Sequence, residues 1–211
     1  MINTAIIELE KEVIDYAKHI ERMLFDAAEG VFERNSGLLE KVLGIEEEKS
    51  DDMDLSLYEN CVNTIAKFQP VSKNLRIVIS IIAMGASLER IGDHCVNIAR
   101  SGLILNSYKQ VIPYIDLPQM KSVTVIMLQK AVSSLINQDI NIAKSVLSMD
   151  EEVDDYKRKI HKTLQQYMTD KDILTAIVEL MNIVNNLERI ADLSVNICED
   201  VIYSESGKMK R

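Results

Sequence analysis

An eleven-residue segment that occurs twice constrains this chain more than any other feature of the sequence. Residues 88–98 read LERIGDHCVNI, and residues 187–197, ninety-nine positions later, read LERIADLSVNI. Eight of the eleven positions are identical. Such agreement indicates an internal duplication, so we expect the two halves of the chain to fold alike.

Both copies of the segment have the periodicity of an amphipathic helix. Apolar or small residues spaced by three and four form one stripe in each copy, which predicts a buried side of the helix. The stripes are Leu88, Ile91, Cys95 and Ile98 in the first copy, and Leu187, Ile190, Ser194 and Ile197 in the second. Beside each stripe runs a polar row spaced by four, made of Glu89, Asp93 and Asn97 and of Glu188, Asp192 and Asn196.

The paired acids in each polar row suggest a cation site. Two carboxylates one helical turn apart repel each other by roughly 0.2–0.5 kcal/mol in an isolated helix. Arg90 and Arg189 offset part of this repulsion, and a hard cation held by the carboxylate oxygens would offset more of it. The alternative is a solvated acidic edge on a bundle helix. Repetition of the acids together with their flanking residues favours the cation site.

Composition favours long helices over a fold of strands and turns. The 211 residues are 47% hydrophobic and include only three Pro and seven Gly, so long stretches contain neither residue. A net charge of −9 argues against nonspecific nucleic-acid binding and suits a cation-binding protein. The three cysteines lack a CxxC spacing, the N-terminus is not a signal peptide, and the longest apolar run is too short to span a bilayer. A soluble, cytoplasmic protein is expected.

Apolar periodicity and breaker residues predict six long helices, arranged as two tandem three-helix bundles in an all-α fold. The predicted helices are 3–33, 38–68, 72–106, 120–137, 140–168 and 173–203. The bundles are expected to occupy 1–112 and 119–204, joined by a linker at 113–118. Asn35 or Ser36, Ser72 and Asp139 are predicted helix caps, and the tail from Ser204 is expected to fray.

The middle helix of each half carries a second pair of acids one turn apart. Asp150 and Asp154 form this pair in the second half, and Glu47 and Asp51 correspond to it at an offset of 103 residues. An offset counted from the preceding Val-Leu pair instead places Glu46 opposite Asp150. Each half then supplies four acids on two antiparallel helices, and all-oxygen ligation suits Mg, Mn, Ca or ferric iron.

The chain resembles the PhoU family, the accessory proteins of the bacterial phosphate-specific ABC transporter. The resemblance covers nearly the whole chain and depends on LERIGD at 88–93, LERIAD at 187–192, AKFQP at 66–70 with Leu75-Arg76, and DVIY at 200–203. Asn74 departs from the family, in which many members have Asp before Leu-Arg. The resemblance implies two three-helix bundles and multinuclear metal clusters of iron, magnesium, manganese or zinc. The implied ligands are Glu89/Asp93, Glu188/Asp192, Asp150/Asp154 and Glu47/Asp51, with Asn97 and Asn196 as outer partners.

The same resemblance implies a regulatory role. Members restrain phosphate uptake and repress the phosphate-starvation response by contacting the transporter ATPase and the sensor histidine kinase, and dimers or larger assemblies occur in the family. Two other functions remain open from the residues. A carboxylate-bridged metalloenzyme of the ferritin-like type uses Glu-x-x-His, but the residues three before His19, His94 and His161 are not Glu. A helical interaction scaffold without metal would leave the acids as solvated edges.

Overall fold

The molecule is built from two three-helix bundles, which confirms the all-α tandem fold predicted from the sequence. The structure, a computed structural model, describes residues 2–108 and 116–208. Its helices are α1 (Ile2–Phe32), α2 (Ser36–Lys41), α3 (Glu47–Phe68), α4 (Ser72–Asn106), α5 (Leu117–Asn137), α6 (Ile140–Leu147), α7 (Asp150–Gln165) and α8 (Leu174–Ser206). A π-helical turn, Val42–Glu46, joins α2 to α3.

The sequence predicted one continuous helix for the middle arm of each bundle, but both middle arms are interrupted. In the first bundle the π-helical turn separates α2 from α3, and in the second bundle a break at Ser148 and Met149 separates α6 from α7. The helix α7 also ends at Gln165, before the predicted end at residue 168. Side-chain periodicity alone does not reveal such interruptions, because the buried side keeps its direction on both sides of them.

The π-helical turn accounts for a one-residue difference in length between the two bundles. Before the turn, the fully buried Leu39 corresponds to the fully buried Ala143 at an offset of 104. After it, the buried Leu57 corresponds to the buried Ile160 at an offset of 103. A π-helical turn accommodates one extra residue within a helix, so the buried side of α3 stays directed at the core. The shift in offset seen in the sequence therefore has a structural cause.

The helix ends agree with some of the predicted caps and not with others. The Asn35 side chain accepts a hydrogen bond from the Leu38 amide, and Asp139 accepts from the amides of Asn141 and Ile142. Both residues are therefore the caps that the sequence predicted. The prediction for Ser72 was wrong, because α4 begins after Val71 without a side-chain cap.

The segment around the predicted linker is only partly described. Residues 113–115 lie outside the described ranges, and α5 already begins at Leu117, three residues before the predicted start. Pro118 lies in its first turn, where a missing amide hydrogen costs the helix nothing. At the other end α8 continues to Ser206, so residues 204–206 are helical instead of frayed, and residues 209–211 lie outside the described ranges.

The helices α4 and α8 pack against each other in the centre of the molecule and join the two bundles. They run antiparallel, because His94 contacts Asn186 at 2.8 Å while Ser101 donates a hydrogen bond to Glu179 at 2.7 Å. The predicted stripes on both helices are buried, which confirms them. Ser194 belongs to this buried side because its hydroxyl donates to the Ile190 carbonyl at 2.8 Å.

The three cysteines, Cys61, Cys95 and Cys198, are free thiols buried in the core. Burial raises the pKa of Cys61 and of Cys198 to about 12, so both remain protonated at neutral pH. No helix in the described part of the chain combines the length and the apolar character that a bilayer span requires.

Candidate metal centres

The first bundle brings four acidic side chains together, and we call Asp51, Asp54, Glu89 and Asp93 the first acidic cluster. Burial raises the pKa of Glu89, and the carboxylates of Asp93, Asp54 and Asp51 raise it further against the opposing effect of Arg90. Burial and Asp51 likewise raise the pKa of Asp54. Across residues 2–108 and 116–208, no basic nitrogen lies within the 4.0 Å ion-pair distance of these four carboxylates.

The first acidic cluster lies beside a close approach of α3 to α4. A Cβ atom on Gly92 would lie 3.1 Å from the Ser50 hydroxyl and 3.3 Å from Ile20, so the missing side chain lets the two helices approach. The Ser50 hydroxyl in turn contacts the Tyr16 hydroxyl at 3.2 Å. Gly92 therefore allows α3 to pack closely against α4.

The second bundle also gathers four acidic side chains, and we call Asp150, Asp154, Glu188 and Asp192 the second acidic cluster. Burial raises the pKa of Asp150, and the carboxylates of Asp154 and Glu188 add to this effect. The pKa of Asp192 is raised by burial and then by Glu188, with Asp150 and Asp154 also contributing against the effect of Arg189. The four predicted residues of the second half therefore influence one another electrostatically.

The two clusters differ in the basic side chains that contact them. Lys157 Nζ lies 3.0 Å from Glu188 Oε1, and Arg189 lies 3.6 Å from Glu188 Oε2 and 3.5 Å from Asp192. At the offset of 103, Lys157 occupies the position that Asp54 has in the first bundle. The second acidic cluster is thus partly neutralised from within the chain, whereas the four carboxylates of the first form no ion pair with the described residues.

Position and contacts distinguish Glu47 from Glu46. The half-buried Glu47 follows the π-helical turn and corresponds to Asp150 at the offset that the buried core establishes. Glu46 is buried and forms an ion pair with Lys41 at 2.8 Å, while His19 donates a hydrogen bond to its carbonyl at 2.9 Å. Glu46 is therefore committed to a separate network, and Glu47 keeps its place as the predicted ligand.

Asp54 is a cluster member that the sequence interpretation missed. It lies three residues after Asp51 on the same side of α3, so helical spacing alone was sufficient to include it. It was overlooked because the duplication has no acid at the matching position. Asn97 and Asn196 are exposed, and Asn196 lines a cleft of about 290 Å³ with Arg90, Asp150 and Asp192.

The donor chemistry of both clusters suits a hard cation, because every side chain offers carboxylate oxygens. The Glu188 Oε2 atom is buried and accepts no hydrogen bond, although Arg189 lies 3.6 Å from it. In the described ranges, no three His, Cys, Asp or Glu side chains lie close enough together to ligate one ion. A bound ion therefore requires these carboxylates to converge further. His94 is engaged by Asn186 across the bundle interface.

Comparisons with known proteins identify the family. The family model for the PhoU domain matches twice, at residues 13–102 and 117–201. A Thermotoga maritima protein named phosphate-specific transport system accessory protein PhoU homolog 2 is 32% identical, over 99% of this chain and 88% of that protein. A Deinococcus radiodurans protein named as a homolog of the same accessory protein is 33% identical, over 89% of this chain and 88% of that protein.

The solved structures agree with the sequence comparisons. A crystal structure of PhoU from Pseudomonas aeruginosa superposes with a TM-score of 0.93 at 27% identity, covering 99% of this chain and all of that one. PhoU from Streptococcus pneumoniae has a TM-score of 0.91 at 24% identity, which supports the fold alone. The two curated relatives are named as accessory proteins of the phosphate-specific transport system, not as enzymes. With both halves matched by the domain model, the chain belongs to the PhoU family.

Proposed function

We propose that this accessory protein of the phosphate transport system is a negative regulator. It restrains phosphate uptake and represses the phosphate-starvation response by contacting the transporter ATPase and the phosphate-sensing histidine kinase. It acts in the cytoplasm, most simply as a homodimer. The observation that carries the proposal is the match of both halves to the PhoU domain, supported by relatives named as accessory proteins of this system.

Complementation in cells tests the regulatory role. In a bacterial host that lacks its own PhoU, this chain is expected to restore repression of a phosphatase reporter in high phosphate and not in low phosphate. Affinity capture of the tagged chain from high-phosphate cells should recover the transporter ATPase and the sensor kinase. A reporter that stays fully active in high phosphate despite normal expression of the chain would contradict the role.

The two acidic clusters are proposed to bind metal ions, whose identity is iron, magnesium, manganese or zinc. The ligands would be Glu89, Asp93, Asp51, Asp54 and Glu47 in the first bundle, and Glu188, Asp192, Asp150 and Asp154 in the second. Burial raises the pKa of Glu89 and of Asp192, and the neighbouring carboxylates add to this effect by repulsion. A bound cation would relieve that repulsion and would tie the middle arm of each bundle to its long helix.

Replacing Asp93 and Asp192 by alanine should reduce metal affinity at least about tenfold, because loss of even an outer partner costs 10–100-fold. Elemental analysis and calorimetric titration measure this, with Asp52→Ala/Glu151→Ala as a control that removes two exposed acids from α3 and α7. Of the single variants, Asp93→Ala should lose more metal, since Lys157 and Arg189 already neutralise part of the second acidic cluster. Unchanged metal content in the double variant would show that the acidic clusters are not the metal sites.

A further inference from the structure

A cavity lies between the two bundles, where α1, α4, α5 and α8 meet, and none of the residues that line it belongs to either acidic cluster. Its volume is about 160 Å³. Aliphatic side chains from all four helices form its walls, among them the buried Val13, Ile81, Leu135 and Val201. An apolar cavity of about 150 Å³ is large enough to hold benzene, which has six heavy atoms. The space between the bundles can therefore hold a small organic molecule.

Two half-buried glutamates also line this cavity, Glu10 on α1 and Glu205 on α8. Lys73 forms an ion pair with Glu205 at 3.5 Å, and Gln138 donates a hydrogen bond to Glu10 at 3.2 Å. Burial raises the pKa of Glu10, and the Glu205 carboxylate adds to this effect against that of Lys73. Among the described residues, no basic nitrogen forms an ion pair with Glu10. The cavity therefore has one carboxylate without a balancing cation.

The Ser80 hydroxyl is a second polar group of the cavity that lacks a partner. Ser80 lines the cavity from α4 and is 1% exposed, and its Oγ atom forms no hydrogen bond in the described part of the chain. Most buried polar side chains are paired, because a buried hydroxyl without a hydrogen bond destabilises the folded state. A molecule bound in the cavity could supply the missing hydrogen bond to Ser80.

The internal duplication shows which contact is missing at the cavity. At the other end of the interface between α4 and α8, Ser101 donates a hydrogen bond to Glu179 at 2.7 Å. At the offset of 99 residues, Ser80 corresponds to Glu179 and Asp200 corresponds to Ser101. Ser80 and Asp200 are thus the matching pair, yet no hydrogen bond joins them, because the Ser80 hydroxyl has no partner. The polar contact that joins the two helices at one end is therefore absent where the cavity lies.

We infer that the cavity binds a small aliphatic amine that carries a hydroxyl group at its far end. The ammonium group of this ligand lies beside Glu10 and Glu205, its carbon chain contacts the aliphatic walls, and its hydroxyl pairs with Ser80. Apolar walls with a few polar groups that fix the orientation of the ligand are the usual form of a small-molecule site. The ligand contacts helices of both bundles. This inference goes beyond the proposed regulatory function and does not depend on it.

Charge and volume define this class of ligand. An anion would be repelled by Glu10 and Glu205, and a purely apolar molecule would leave the Ser80 hydroxyl without a partner. Water alone suits the cavity poorly, because aliphatic walls offer it few hydrogen bonds. A chain of five carbons with a terminal hydroxyl has six heavy atoms, which a volume of about 160 Å³ accommodates while the ammonium group remains at the carboxylates.

The probe that tests this inference is 5-amino-1-pentanol. Three control compounds each lack one of its features: 1-aminopentane has no hydroxyl, 5-hydroxypentanoate has an anion in place of the ammonium group, and ethanolamine has too short a chain. Isothermal titration calorimetry measures the affinity of each compound for the wild-type chain, and 5-amino-1-pentanol should bind most tightly. Nuclear Overhauser effects between its carbon chain and the methyl group of Met84, which lines the cavity, should locate the bound probe.

Two variants that keep the size of the side chain separate the charge from the hydroxyl. Glu10→Gln should bind 5-amino-1-pentanol at least about tenfold more weakly, because a hydrogen bond to a charged group contributes more than a factor of ten in affinity. Its matched control is Asp15→Asn, which removes an exposed acid from α1 outside the cavity and should bind normally. Ser80→Ala should bind 5-amino-1-pentanol and 1-aminopentane equally, and it provides an independent test if circular dichroism shows that Glu10→Gln does not fold.

Several results would overturn the inference. These are the absence of saturable binding of 5-amino-1-pentanol to the wild-type chain, equal affinity for Glu10→Gln, or equal affinity for 5-hydroxypentanoate. Binding without a contact to the Met84 methyl group would place the probe outside the cavity and overturn it as well. A preference for the hydroxyl compound that survives in Ser80→Ala would show that Ser80 does not recognise the ligand. None of these results bears on repression of the phosphatase reporter, which tests the regulatory function separately.

Discussion

Replacing Leu39 by alanine is expected to lower the free energy of unfolding by about 2–5 kcal/mol, the range for a buried leucine that leaves a cavity. Leu39 is fully buried and lies between α1 and α4, where glycines face it from both helices. A Cβ on Gly30 would lie 2.5 Å from a Leu39 methyl carbon, and one on Gly102 would lie 3.0 Å from another. Urea denaturation measures the loss, and Ile7→Ala, at a 64% exposed position, is the control.

The close contact with Gly30 provides a sharper version of this experiment. Gly30→Ala alone should be destabilising, because its methyl group has no room while Leu39 is present. In the Leu39→Ala background the same methyl group enters the cavity, so the double variant should be more stable than the sum of the single effects predicts. A coupling of about 1–3 kcal/mol is expected for residues in direct contact. Strict additivity would show that Leu39 does not fill this space.

The second large effect concerns Asp200 on α8, whose replacement by asparagine should stabilise the protein at pH 8 and not at pH 4. Burial raises the pKa of Asp200 from its ordinary 3.8 to about 7, and the nearby Glu199 carboxylate adds to this. The folded state therefore binds the proton more tightly than the unfolded state does. Stability is consequently lost as the pH rises from about 4 to about 7.

Asparagine resembles the protonated acid and cannot ionise, so the variant avoids that loss. The full difference between 3.8 and 7 would correspond to about 4 kcal/mol, and partial solvent exposure of the side chain reduces the expected gain to about 1–3 kcal/mol. Thermal and urea unfolding at pH 4 and pH 8 measure it, with the exposed Asp52→Asn as control. An equal gain at both pH values would attribute the effect to packing instead of ionisation.

The sequence predicted those features that depend only on the spacing of residues along one helix. The stripes on α4 and α8, the caps Asn35 and Asp139, and the pairing of acids in the second half all follow from spacing within one helix. The π-helical turn could not be placed, because a helix pattern records which side is buried and not how many residues a turn contains. Its only trace was the change of offset from 104 to 103 between the halves.

The candidate metal centres were predicted less completely than the fold. The duplication identified the signature acids on α4 and α8, yet it concealed Asp54, whose counterpart is Lys157. Comparison of the two halves selects the acids that both halves share, so an acid that only one half has, such as Asp54, is not selected. The neutralisation of Glu188 by Lys157 depends on contacts between two helices, which the spacing within either helix does not specify.

The π-helical turn also bears on how the duplicated halves diverged. An added residue in a regular helix would rotate every later side chain by about 100° and turn the carboxylates of α3 away from α4. Confined to Val42–Glu46, the length change left the inward positions beyond it untouched. The two halves therefore differ in length by one residue without any change in which side chains face the core on either side of the turn.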